Sequence, residues 1–209
     1  MEALLTQGDS ENFKSRFNSA FLAGSDYSLL PNKLKGEFFM EKTTQNKVKR
    51  ICITGLMAAL IAVATAFIKM PTGINSGYLH FGDSMIYLAG CLLGPWASLA
   101  AAIGGGIADV LAGAPQWAIP TAIIKAVNAV PFIIVARNSK KIITKWSVLM
   151  TIVSGLWTIG GYLVAEGILY SFPTALTSVP FSIVQAVGSA IIFVIVGLVL
   201  DKIKIQKYI

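Results

Sequence analysis

The stretch Gly106–Pro131, GIADVLAGAPQWAIPTAIIKAVNAVP, decides how this chain is read. It joins the end of one apolar segment to the start of another through a short turn. The turn contains Gly113 and Pro115, residue types that stop or restart helices. The apolar flanks nevertheless hold Asp109, Lys125 and Asn128. Ionisable side chains at that depth are costly in lipid, so they are normally paired or turned toward a wet cavity.

The rest of the chain shares this character. Of 209 residues, 55% are hydrophobic and 13% charged, and mean hydropathy is +0.70. Such a composition belongs to integral membrane proteins. The net charge of +7 would suggest nucleic acid in a soluble protein. Here the Lys and Arg residues fall in short runs between apolar segments, as the positive-inside rule requires, so the charge describes topology. Cys52 and Cys91 lie near the cytoplasmic ends of their segments, and one histidine offers no metal-ligand spacing.

Six helices are expected, at 51–68, 82–93, 95–113, 118–136, 146–170 and 175–200. Gly94-Pro95 separates the second from the third, because the residue before proline is pushed out of the helical region. Six crossings bring Lys47, Lys49 and Arg50 to the same side as Arg137, Lys140, Lys141 and Lys145, and as Lys202, Lys204 and Lys207. The expected fold is an all-α integral membrane protein, six transmembrane helices in a compact bundle with both termini cytoplasmic. Residues 1–48 form a polar tail, 49–203 the membrane domain and 204–209 a short C-terminal tail. Residues 1–39 read as a translated leader before a start at Met40, since Lys35-Gly36-Glu37 can be encoded by a purine-rich ribosome-binding sequence. An ordinary cytoplasmic tail is the alternative.

Two kinds of pattern carry function. Ala58, Ala62 and Ala66 recur every fourth residue, giving one helix face a strip of small side chains. Such strips let membrane helices approach closely. Packing within the bundle and docking of another membrane protein are both open. The second pattern is polar residues at depth. Asp109 lies four residues from the outer end of its segment, about 6 Å down at the helical rise. Lys125 is about 10 Å down and Asn128 one turn deeper. Glu166, with Tyr162 one turn below it, and Gln185 lie at comparable depths. An Asp109–Lys125 ion pair would account for two of these residues. All of them together suggest an outward-opening pocket with Trp117 and Trp157 as aromatic walls. Asn75, Tyr78 and His80 of the loop PTGINSGYLHFGDS are candidates for a lid, and Asp83 for a helix cap. The Gly104–Gly106 run lacks the Lys-Ser/Thr ending and strand context of a phosphate loop, and no HExxH or GxSxG occurs. No catalytic role is expected.

The stretches GYLHFGDSMIYLAGCLLGP, IADVLAGAPQWAIPTAIIKAVNA and VPFSIVQAVGSAII resemble the substrate-binding S components of energy-coupling factor (ECF) vitamin transporters, in the riboflavin, pyridoxine and hydroxymethylpyrimidine branch. The resemblance covers roughly residues 48–203. It implies a vitamin site near the outer face, formed by helices 4–6 and the first outer loop. It implies that Ala58, Ala62 and Ala66 dock on a transmembrane coupling subunit (EcfT-like), itself bound to two ATPase subunits. It also implies that transport topples the whole S component in a bacterial cell membrane, with ATP used by the partners and no cofactor in this chain. Pyridoxine or a hydroxymethylpyrimidine is the expected ligand, and riboflavin the alternative. A self-sufficient small-solute carrier, a membrane enzyme and a purely structural protein are the competing readings.

Overall fold

A computed structural model describes residues 32–71, 73 and 78–207, with side chains from Thr44 onward. The chain divides into two compact units, Met1–Val48 and Lys49–Ile209. The second holds the functional interest. The expected leader falls largely outside the described residues.

Helix α1 is Asn32–Ala66; α2 is Asp83–Leu93; α3 is Trp96–Leu111; α4 is Ala118–Asn128; α5 is Val130–Ala136; α6 is Lys145–Leu169; and α7 is Phe172–Lys202. Four segments are long and apolar enough to cross a membrane: Thr44–Ala66, Pro115–Ala136, Lys145–Leu169 and Phe172–Lys202. Helices α2 and α3, with 11 and 16 residues, are shorter. Leu56, Ile119, Leu156, Ile168 and Leu176 are each more than 60% exposed, which suits a surface facing lipid tails.

Local chemistry explains the breaks. Helix α2 ends at Gly94, whose φ of 58° and ψ of −137° suit only glycine, and Pro95 then opens α3. Gly113, at φ 83°, and Pro115 make the turn into α4. The sequence reading placed one uninterrupted helix over 118–136. The structure divides it at Ala129, because Pro131 has no N–H for the Val127 carbonyl and its ring crowds it. Thr144 and Ser147 form a capping box at the start of α6, with Thr144 Oγ1 accepting from the Ser147 N–H at 3.0 Å and Ser147 Oγ from the Thr144 N–H at 2.8 Å.

Two short strands were not expected. β1, Lys69–Pro71, and β2, Tyr78–His80, pair antiparallel with Lys69 opposite His80. They form a small hairpin at the end of the bundle where α1 finishes and α2 starts.

The glycine run of α3 is a packing device. A Cβ on Gly104 would lie 2.5 Å from the Ala58 carbonyl oxygen, and one on Gly105 would lie 3.1 Å from side-chain carbons of Lys125 and Thr121. Consecutive glycines thus admit α1 on one side and α4 on another. Farther from the hairpin, the core is apolar. Tyr87 stacks on Phe132 at 4.4 Å between centroids, and Phe193 meets Phe132 edge-on at 5.2 Å. At that far end Asp201 accepts from the backbone N–H groups of Ile142 and Ile143 at 2.8 and 2.9 Å, tying the α5–α6 connection to α7.

Candidate functional site

A cavity of about 80 Å³ opens at the hairpin end of the bundle. Its lining comes from β2 (Tyr78, Leu79, His80), α3 (Asp109), the turn before α4 (Trp117), α4 (Thr121), α6 (Tyr162, Glu166) and α7 (Ser178, Phe181, Ser182, Gln185). Seven residues expected at a site from sequence therefore meet here: Tyr78, His80, Asp109, Trp117, Tyr162, Glu166 and Gln185. Asn75 lies outside the described residues.

The polar contacts differ from the expected ones. The sequence reading paired Asp109 with Lys125. Instead Lys125 Nζ meets Asp83 Oδ1 at 2.5 Å, with both side chains at most 1% exposed. Asp109 Oδ1 accepts from the Tyr78 hydroxyl at 2.5 Å. The reason is depth. Asp83 begins α2 but is completely buried, so its carboxylate requires a counter-charge, and it makes no cap bond to its helix. The capping role expected for Asp83 is thus replaced by ion pairing.

Asp83 also connects the hairpin to the bundle. Its Oδ2 accepts from Gln185 Nε2 at 3.2 Å, and Gln185 Oε1 accepts from the backbone N–H of His80 at 3.3 Å. His80 Nδ1 in turn accepts from the Gly82 N–H at 3.1 Å. Burial, aided by the nearby Lys125 charge and opposed by Asp83, lowers the His80 pKa to about 3, so its ring is neutral at ordinary pH. Burial also raises the Tyr78 hydroxyl pKa, reinforced by the Asp109 carboxylate, which keeps Tyr78 a donor.

Aromatic surfaces surround the polar groups. Trp117 lies 5.9 Å from Tyr162 and 6.1 Å from Tyr170, between ring centroids. The Tyr162 hydroxyl is 3.1 Å from Thr121 Oγ1, and its ring lies 5.0 Å from Lys125 Nζ. Glu166 Oε1 accepts from Ser178 Oγ at 2.7 Å.

Three expected site residues lie elsewhere. Lys125 is not part of the lining; it sits in the Asp83 network beneath. Asn128 is one turn deeper, fully buried beside Tyr87. Trp157 faces outward, 43% exposed, because its indole N–H is held by the Ile124 carbonyl at 3.0 Å. Conversely, Leu79, Thr121, Ser178, Phe181 and Ser182 were missed. Their types are common in any membrane protein, and only the rotation of α4 and α7 and the placing of β2 bring them to the cavity.

A second polar tier follows. Tyr87, Asn128 and Ser189 stand one turn below Asp83, Lys125 and Gln185 on α2, α4 and α7. Thr158 stands one turn below Tyr162 on α6. All four are at 0% exposure; Asn128 lies beside the Tyr87 hydroxyl, and Thr158 Oγ1 and Ser189 Oγ have no hydrogen-bond partner among the described residues.

Ala58 and Ala62 form the floor of an apolar groove walled by Gly55, Ala59, Trp96, Leu99, Ile103 and Ile107, between α1 and α3. Both are buried at 7% and 6% exposure, and Ala66, at 5%, lies outside the groove lining.

A helical bundle with lipid-suited faces and a part-open cavity of mixed polar and aromatic lining at one end is the architecture of a polytopic membrane protein. The model of the family "ECF-type riboflavin transporter, S component" matches residues 45–202, and the chain belongs to that family of transporter subunits. A Pyrococcus woesei protein, described as an uncharacterized protein in the gap 3'region, is 35% identical over 144 residues, covering 68% of this chain and 95% of the relative. A UPF0397 protein of Lactiplantibacillus plantarum (strain ATCC BAA-793 / NCIMB 8826 / WCFS1) is 32% identical over 80 residues, covering 37% of this chain and 43% of its own length.

Proposed function

We infer that this chain captures a small heteroaromatic vitamin or precursor, of pyridoxine or hydroxymethylpyrimidine type, and delivers it for import. The observation carrying this reading is the cavity itself. It combines two carboxylates, several hydroxyls and an amide with the faces of Trp117 and Tyr162. Its volume of about 80 Å³ is small beside the few hundred usual for drug-sized ligands, which favours one ring over the three fused rings of riboflavin. In this reading the hairpin end faces outward and the basic end faces the cytoplasm of a bacterial cell, with six crossings. The Ala58–Ala62 groove receives a transmembrane coupling subunit, and two ATPase subunits supply energy.

Purification from native membranes followed by ligand identification tests this. A co-purified pyridoxine or aminopyrimidine supports it. Riboflavin recovered alone would replace the ligand assignment, and no ligand together with no thermal shift from any of these vitamins would overturn the function. A self-sufficient carrier is disfavoured because, among the described residues, no buried Asp, Glu, Lys, Arg or His lies below the Asp83–Lys125 pair. Uptake into liposomes by the purified chain alone would favour that rival.

A further inference from the structure

Two buried polar atoms of cavity-lining residues have no hydrogen-bond partner among the described residues. Asp109 is 4% exposed; Tyr78 donates to its Oδ1, its side chain also lies beside the Thr121 hydroxyl, and Oδ2 has no partner at hydrogen-bond geometry among the described residues. Trp117 is 6% exposed, and its indole N–H also has none. The first, when ionised, is an acceptor only and the second a donor only. Buried groups of this kind are costly to leave unmatched, so a ligand that matches both gains on both.

The charges narrow the ligand further. The cavity is lined by Asp109 and Glu166 and by no Lys or Arg. Lys125 is committed to Asp83. Lys69 donates to the Ala112 carbonyl at 3.1 Å and lies 5.3 Å from the Tyr78 ring centroid. An anionic ligand would therefore meet two carboxylates in the lining, with no Lys or Arg among the described lining residues to offset them.

We propose that Asp109 determines specificity by reading a hydrogen-bond-donor edge: the ligand is a heteroaromatic ring bearing an amino group or a protonated ring nitrogen, with an acceptor facing Trp117. Vitamins carrying a carboxylate or phosphate are rejected by the same charges. This rests on the cavity being the ligand site, as proposed above, and fixes which face of the ligand it recognises. It also removes Lys125 from direct contact, since an ammonium already matched by Asp83 offers an anion little.

The test uses the purified full chain in nanodiscs. Calorimetry compares an aminopyrimidine bearing a hydroxymethyl group with its oxo counterpart, and pyridoxine with pyridoxal phosphate. The amino compound is expected to bind at least about 10-fold more tightly than the oxo compound, the scale of one charge-assisted hydrogen bond. Pyridoxal phosphate is expected not to bind. Asp109→Asn should bring the amino-to-oxo ratio close to one, and Trp117→Phe should weaken both compounds alike, with melting curves confirming folded protein. If Asp109→Asn fails to fold, the wild-type ratio and Trp117→Phe decide. Equal binding of the amino and oxo compounds, or an unchanged ratio in Asp109→Asn, overturns the inference while leaving the cavity as the ligand site. If no ring compound binds the wild-type chain, the functional reading fails and takes this one with it.

Discussion

Asp83 and Lys125 are the pair on which the cavity floor depends. Removing one partner of a buried ion pair leaves the other charge uncompensated, at about 3–5 kcal/mol. Lys125→Met should therefore lower stability on that scale, and Asp83→Leu with Lys125→Met should recover part of it. Thermal unfolding of the two single variants and the double variant checks this; a double-variant loss equal to the sum of the single losses would show that the charges are independent. His80 predicts a pH effect of definite sign. Its folded-state pKa is about 3, against about 6.5 in the unfolded chain, so the unfolded state binds the extra proton between those values. Stability from this group is complete above about 6.5 and falls as pH drops toward 3. His80→Gln should flatten the melting temperature across that interval. The depths of Asp109, Lys125, Glu166 and Gln185 were legible in the sequence, because helical rise converts residue count into distance. Their partners were not. Choosing between Asp83 and Asp109 for Lys125 requires the rotation of three helices and the position of β2, which a hydropathy pattern does not contain.

At the scale of elements, punctuation was legible and length was not. Gly94-Pro95 and Gly113–Pro115 end helices where their backbone chemistry requires. Pro131 was overlooked because the apolar run continues across it. The hairpin strands have three residues each, too few for an alternating pattern to register. Helix contacts give a sharper forecast. A Cβ on Gly90 would come 2.6 Å from Phe132 Cβ and 3.0 Å from the Ala129 carbonyl oxygen, where backbone must move. Gly90→Ala is expected to destabilise by about 1–3 kcal/mol. Gly160 has nothing within 4 Å of such a Cβ, so Gly160→Ala should be neutral or stabilise by up to about 1 kcal/mol. Chemical denaturation of both variants in one detergent tests the contrast.

For the whole molecule, polarity is divided along the bundle axis. The charged network and cavity occupy the hairpin end, and a close-packed apolar and aromatic core occupies the other. This division was visible in the sequence as the confinement of deep ionisable residues to one half. If the α1–α3 groove receives a partner, Ala62→Leu should leave ligand affinity within about 2-fold while abolishing co-purification with the coupling subunit, since the added bulk fills the groove floor. Retention of the complex by that variant would remove the groove from the partner interface.

The two polar tiers have a mechanical consequence. Acid, base and amide lie in one tier, and hydroxyls and another amide lie a helical turn beneath, on the same four helices. A slip of one helix by a turn, about 5.4 Å, would carry Lys125 down to the level of Tyr87 and strand Asp83 without its cation. The tiers therefore act like the teeth of a ratchet with a single resting position. If the chain carries a ligand across the bilayer, as proposed above, this fixed register favours movement of the bundle as one body over sliding of single helices.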